Sequence, residues 1–220
     1  MEIDKVFRGL GGKWNKHLGC HLFSRDPRPF LSNGVAETVP NLQQVQQSFY
    51  TPPAVIDLML EHADLQPQDI VLEPSAGMGA IALAAAAIVG TANVTCIDTD
   101  PVACATLRQQ HFTVYEQDFL TFTKDSPLYN AILMNPPFLK NADIHHIMHA
   151  YNLLNTREGG ILVSVLSRMA GKNTRFKIQK TFQTFCQEAN ATRLELPDAS
   201  FRTSGTLVQT DLLIIPASIL

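Results

Sequence analysis

The tetrad Asn135-Pro136-Pro137-Phe138 holds the residue types best suited to chemistry in this sequence. It follows the apolar run Ala131-Ile132-Leu133-Met134, which reads as a buried strand. No central strand continues through two prolines, so they set a rigid turn. Such a turn can aim the Asn135 amide oxygen and the Pro136 carbonyl at one point. Two acceptors at that point hold both protons of an amino group, direct its lone pair at an electrophile and stabilise the positive charge that develops. Phe138 offers a flat face to a planar target. A base taken from a duplex must be flipped out at a cost of roughly a few kcal/mol, part of which stacking offsets. The other reading is a proline-rich loop with a buried phenylalanine.

A second stretch, Glu73-Pro74-Ser75-Ala76-Gly77-Met78-Gly79, follows the apolar run Ile70-Val71-Leu72 and precedes an alanine-rich segment. Glycines there let the backbone turn sharply beside a ligand, and a helix start offers N–H groups to an anion. The pattern is not the GxGxxG dinucleotide fingerprint, because Ala82 stands where the third glycine belongs. Asp98 lies about twenty residues on, at the end of Val94–Ile97, where a carboxylate can accept from both hydroxyls of a ribose. Asp98 could instead cap the next helix, but Asp100, just before Pro101, is the better cap. Asp118-Phe119 could accept from an adenine amino group and stack on its ring, or could form an ordinary turn at a strand end.

Regular elements must hold these groups. From about residue 46 short apolar runs alternate with helical periodicity. Helices are expected after Thr51, with Thr51 as N-cap and Pro52 in the first turn, and over about 80–89, 101–110, 142–154 and 172–188. Strands are expected near 70–72, 94–97, 113–117, 131–134, 161–166, 192–196 and 207–215. This alternation predicts an α/β fold, a mostly parallel sheet covered on both faces. Glu73, Asp98, Asp118 and Asn135 then fall at four successive strand ends, where such sheets bind ligands. Residues 1–45 read as an irregular arm with a short hairpin, and 46–220 as one domain.

The tetrad is similar to the [DNS]PP[YFW] motif of amino-methyltransferases. Thr51-Pro52-Pro53-Ala54-Val55 and Val71-Leu72-Glu73-Pro74-Ser75-Ala76-Gly77 resemble segments of N6-adenine DNA methyltransferases of the gamma motif order. The resemblance covers about residues 46–138 and implies a Rossmann-like, seven-stranded class I methyltransferase. It implies that Thr51, Glu73, Ala76, Gly77, Asp98, Asp118 and Phe119 hold S-adenosylmethionine. It implies that Asn135, Pro136, Pro137 and Phe138 act on N6 of adenine, with DNA favoured over RNA. A late aromatic packs against the flipped base in that family, and Phe201 is the candidate. Family members also carry a separate recognition domain. Only about eighty residues follow the tetrad here, so a separate specificity partner is expected. The same chemistry on adenine in RNA or on a protein glutamine amide stays open, as does a binding module with a relic donor pocket.

Composition sets outer bounds. The net charge of −3 excludes nucleic-acid binding through overall charge and requires a local basic patch. Arg168, Lys172, Arg175, Lys177 and Lys180 supply one candidate, with Lys172 and Arg175 as substrate contacts, although a solvated helix face reads equally well. Four cysteines without a CxxC pair fit reduced thiols in a cytoplasmic protein. No run is long enough to span a membrane. His145 and His149 have metal-pair spacing but lack the HExxH carboxylate, so His145, His146 and His149 are expected at the surface and no metal is expected. Trp14 is expected to pack rather than to stack on a base.

Overall fold

The computed structural model describes residues 7, 13–16, 18, 20–22, 51–123, 129–197, 200–201 and 208–217. The chain divides into two compact units, Met1–Ser48 and Phe49–Leu220. In the first, β1 (Lys13–Asn15) and β2 (Cys20–Leu22) pair as an antiparallel hairpin. Trp14 packs edge-on against His21, with ring centroids 5.0 Å apart.

The second unit runs α1 (Pro53–Ala63), β3 (Val71–Pro74), α2 (Ala80–Val89), β4 (Val94–Asp98), α3 (Pro101–Gln109) and β5 (Thr113–Glu116). It continues with β6 (Ala131–Met134), α4 (Ala142–Tyr151), β7 (Ile161–Ser167), α5 (Lys177–Glu188), β8 (Thr192–Glu195) and β9 (Thr210–Pro216). The seven strands β3–β9 form one sheet in the order β5-β4-β3-β6-β7-β9-β8. All neighbours run parallel except β9, which is antiparallel to both β7 and β8.

Period-two alternation along the central strands divides the core. Val71, Ala131, Leu133, Val163 and Val165 face one apolar layer with α1, α2 and Leu107 of α3. Leu72, Ile132, Met134, Leu162 and Leu166 face the other with α4 and α5. The continuous burial of β3 and β6 is what a parallel sheet covered on both faces demands. On α1, Val55, Ile56, Met59 and Ala63 are buried at helical spacing, and the helix stops at Asp64 in the left-handed region (φ 46°).

Strand order reverses between β3 and β6. From β3 the chain moves outward to β4 and β5, then returns to β6 on the other side. The crevice above such a reversal is where open α/β sheets bind ligands. Glu73-Pro74-Ser75 and Asn135 leave adjacent strands at that point.

Several boundaries differ from expectation. Pro52, not Thr51, is the N-cap residue of α1, and no side chain caps that end. The segment 172–176 is not helical, because α5 begins at Lys177; Gly171, at φ 77°, belongs to the turn that precedes it. The helix α4 ends at Tyr151 and β9 begins at Thr210.

Candidate active site

The loop after β3 is built by backbone conformations that side chains rarely allow. Ser75 (φ 64°), Gly77 (φ 53°) and Gly79 (φ 79°) all lie in the left-handed region. A Cβ on Gly79 would stand 2.4 Å from Leu107 Cδ2, so this glycine also lets α3 pack close. With glycine as its N-cap, α2 receives its cap from elsewhere. The Glu73 carboxylate accepts from Ala82 N–H at 2.7 Å, across the mouth of the helix. Glu73 is buried, and desolvation holds its carboxyl well above the usual carboxylate range.

The loop's other N–H groups are also engaged. Ala76 donates to the Ile97 carbonyl at 2.9 Å, and Gly77 donates to Asp98 Oδ2 at 2.6 Å. The other Asp98 oxygen accepts from Asp100 N–H at 2.8 Å. The Ala76, Gly77 and Ala82 N–H groups therefore brace the loop and are not held out for an anion. Asp98 is half-buried, and an ionised carboxylate has about four acceptor positions. Two such bonds leave it capacity for a pair of hydroxyls. Asp100 caps α3 through Val102 N–H at 2.9 Å, as expected.

Asp118 follows β5 and caps a short turn by accepting from Leu120 N–H at 2.9 Å. Phe119 is buried in the second core layer. Its ring meets two histidines of α4, His149 at 4.8 Å edge-on and His146 at 5.4 Å. These histidines correct the expectation of a surface cluster, since only His145 is exposed. His146 is buried and its Nδ1 lies 3.3 Å from Ser75 Oγ. Burial pulls its imidazole down to about 4. His149 Nε2 reaches the Phe122 carbonyl at 2.8 Å. One helix face thus holds both the Ser75 turn and the Phe119–Phe122 turn. Among the described residues no His, Cys, Asp or Glu cluster has the make-up of a metal site.

The tetrad leaves β6 with Asn135 half-buried, Pro136 buried and Pro137 exposed, while Phe138 packs partly on the first core layer. Asn135 Nδ2 donates to Thr51 Oγ1 at 3.0 Å. Thr51 is buried just before α1. The resemblance assigns Thr51 to the cofactor, whereas in the fold its hydroxyl meets the Asn135 amide. With the amide nitrogen directed at Thr51, the Asn135 oxygen occupies the other branch. Phe201 is 2% exposed in the first core layer, packed away rather than presented to a base. Lys172 and Arg175 are exposed on the loop between β7 and α5.

A seven-stranded sheet with one antiparallel insertion, a strained glycine loop after its first strand, and Asn-Pro-Pro-Phe beside that loop define a Rossmann-like class I methyltransferase. The chain belongs to the methyltransferase small domain family, whose match spans residues 55–196. Its cofactor is S-adenosylmethionine. No curated protein matches. Among solved structures, a modification subunit of a putative type I restriction enzyme from Vibrio vulnificus superposes with a TM-score of 0.66 at 17% identity, over 80% of this chain and 47% of that one. The type I restriction enzyme EcoKI M protein gives 0.65 at 15%, over 81% and 46%. The 23S rRNA methyltransferase ErmE gives 0.58 at 18%, over 78% and 72%. At these identities the likeness is one of fold, and the chain spans about half the length of the first two.

The residues present suit the donor. Asp98 offers a partly open carboxylate at the end of β4 for ribose hydroxyls. Among the described residues no helix is long and apolar enough to cross a membrane.

Proposed function

We propose that this chain methylates N6 of adenine in DNA. The observation that carries this reading is the Thr51–Asn135 hydrogen bond at 3.0 Å, which orients the motif amide beside the strand reversal. When bound, S-adenosylmethionine supplies an electrophilic methyl on sulfur. Asp98 holds its ribose, and the 75–79 loop shapes the pocket around it. Asn135 Oδ1 and the Pro136 carbonyl accept the two protons of the target amine and leave its lone pair facing the methyl carbon. The bound donor would supply the methyl carbon, with the C–S bond breaking as the N–C bond forms and the amine's spare proton passing to water. Phe138 stacks on the target ring.

The solved modification subunits that share the fold are parts of larger restriction enzymes by name. By analogy a separate specificity subunit reads the DNA sequence for this chain. Labelled methyl transfer from S-adenosylmethionine to duplex DNA, single-stranded DNA, RNA and a glutamine-containing protein extract tests the reading. N6-methyladenine in digested DNA supports it. Label confined to RNA or to protein keeps the chemistry and overturns the substrate.

A further inference from the structure

Residues 168–187 contain Arg168, Lys172, Arg175, Lys177 and Lys180 and no acidic residue, in a chain whose net charge is −3. Arg168 turns inward, with Nε donating to Asp211 Oδ1 at 2.8 Å. The other four are exposed, and no ion-pair partner faces them among the described residues. The same loop exposes Met169 at 63% and Phe176 at 61%. Leu139, directly after the tetrad, is exposed at 63%.

These two loops are tied together. Gln179, buried at the start of α5, donates from Nε2 to Asn141 Oδ1 at 2.6 Å and accepts from Gly171 N–H through Oε1. Asp143 accepts from Ser167 N–H at 3.0 Å. Lys140 (φ 55°) and Asn141 (φ 63°) sit in the left-handed region, a conformation that non-glycine residues adopt at a cost. The contacts of Gln179 and Asp143 hold that turn. The edge is therefore preorganised beside Asn135, on the neighbouring strands β6 and β7.

Cations alone would suit any polyanion. Large apolar side chains held more than half exposed among those cations suit a polyanion that also shows flat apolar faces. Base faces are hidden in a duplex and open in an unpaired strand. We propose that the loops 139–141 and 168–177 grip an unpaired nucleic-acid strand next to the target base, with phosphates on Lys172, Arg175 and Lys177 and bases against Leu139, Met169 and Phe176. The proposal rests on the methyl-transfer reading only for what the grip is for.

The test is binding of labelled oligothymidylate, which has no exocyclic amine and so reads the edge without the chemistry. The full chain binds it more tightly than a duplex of equal length. Phe176→Ala weakens it about tenfold, the loss of one base–aromatic stack. The double variant Lys172→Gln/Arg175→Gln lowers the slope of log K against log salt by about 1.4, or about 0.7 for each phosphate contact. Unchanged melting temperatures show that these surface variants fold. Tighter binding of oligouridylate than of oligothymidylate supports the edge and assigns it to RNA; the reverse supports it and assigns DNA. Binding of polyglutamate as tight as that of the oligonucleotide, or variants indistinguishable from wild type, overturns it. Edge variants without effect in a protein that still methylates adenine sink the edge alone. Oligonucleotide binding through the edge with no methylation of any adenine sinks the transfer reading alone.

Discussion

Thr51 and Asn135 stand 84 residues apart in sequence and meet through one hydrogen bond of 3.0 Å, amide nitrogen to hydroxyl oxygen. The bond joins the segment entering α1 to the motif leaving β6. With the amide nitrogen at Thr51 Oγ1 the oxygen occupies the other branch, and the hydroxyl, which can both donate and accept, holds the plane of the amide in place.

Thr51→Val keeps the shape and removes the hydroxyl. Turnover is expected to fall about tenfold, the worth of one hydrogen bond to a partly buried amide, with the dissociation constant of S-adenosylmethionine unchanged. Thr51→Ser restores the hydroxyl and most of the rate. Steady-state rates with calorimetric donor binding check this. A loss confined to donor affinity would return Thr51 to the cofactor site.

Asp98→Ala removes the proposed ribose contact and the acceptor for Gly77 and Asp100 N–H. Donor affinity should fall by about ten- to a hundredfold, since hydrogen bonds to a charged group contribute about 1.5–3 kcal/mol. Titration calorimetry checks it, and an unchanged dissociation constant refutes the assignment.

His146 gives a pH dependence with a definite sign. Burial lowers its folded-state value to about 4, from an ordinary value near 6.5. Between those values the unfolded chain holds more protons than the folded one, so stability is full above about pH 6.5 and declines as pH falls toward 4. The loss attributable to this group is on the order of 2–3 kcal/mol. Urea unfolding across pH 4–7 of wild type and His146→Asn measures it: the variant's profile should be flatter. Identical profiles would show that the imidazole is not desolvated.

Asp211 is 2% exposed and accepts from Arg168 Nε at 2.8 Å and Arg193 Nε at 2.6 Å. Asp211→Asn removes the buried charge that both guanidinium groups pair with, while their carbonyl acceptors stay in place. It should cost about 2–4 kcal/mol of stability, below the full cost of a broken buried pair because both arginines remain partly exposed. Denaturant unfolding checks it, and a midpoint within error of wild type contradicts it.

The sequence revealed the sheet because each strand is a short apolar run closed by a polar residue, and Glu73, Asp98, Asp118 and Asn135 mark four successive ends. Proline, glycine and alanine signals also placed the turns. What stayed hidden was set by long-range contact. Thr51 carries an N-cap signature, and nothing local says that its hydroxyl meets Asn135. Glu73 reads as a ligand, yet its carboxylate serves Ala82 N–H because Gly79 has no side chain to do so. His146 was legible in part: Asp143, His146, Ile147 and Ala150 share the buried stripe of α4 at helical spacing. Lysine and arginine favour helices, which drew the expected helix back to 172, while Gly171 and Asn173 carried the contrary signal. Phe201 reads as a late aromatic in the sequence, but packing in the core decides its place.

Delivery of methyl to N6 of adenine by the Asn135 motif can be measured directly. The most direct measurement compares wild type with Asn135→Ala for label transfer to duplex DNA, with the product identified by mass and donor binding measured in parallel. Wild type is expected to give N6-methyladenine, and the variant to be slowed at least a hundredfold while still binding S-adenosylmethionine, as for loss of a group that stabilises transition-state charge. Near-wild-type turnover in the variant, or no methylated adenine from wild type with the donor bound, would contradict it.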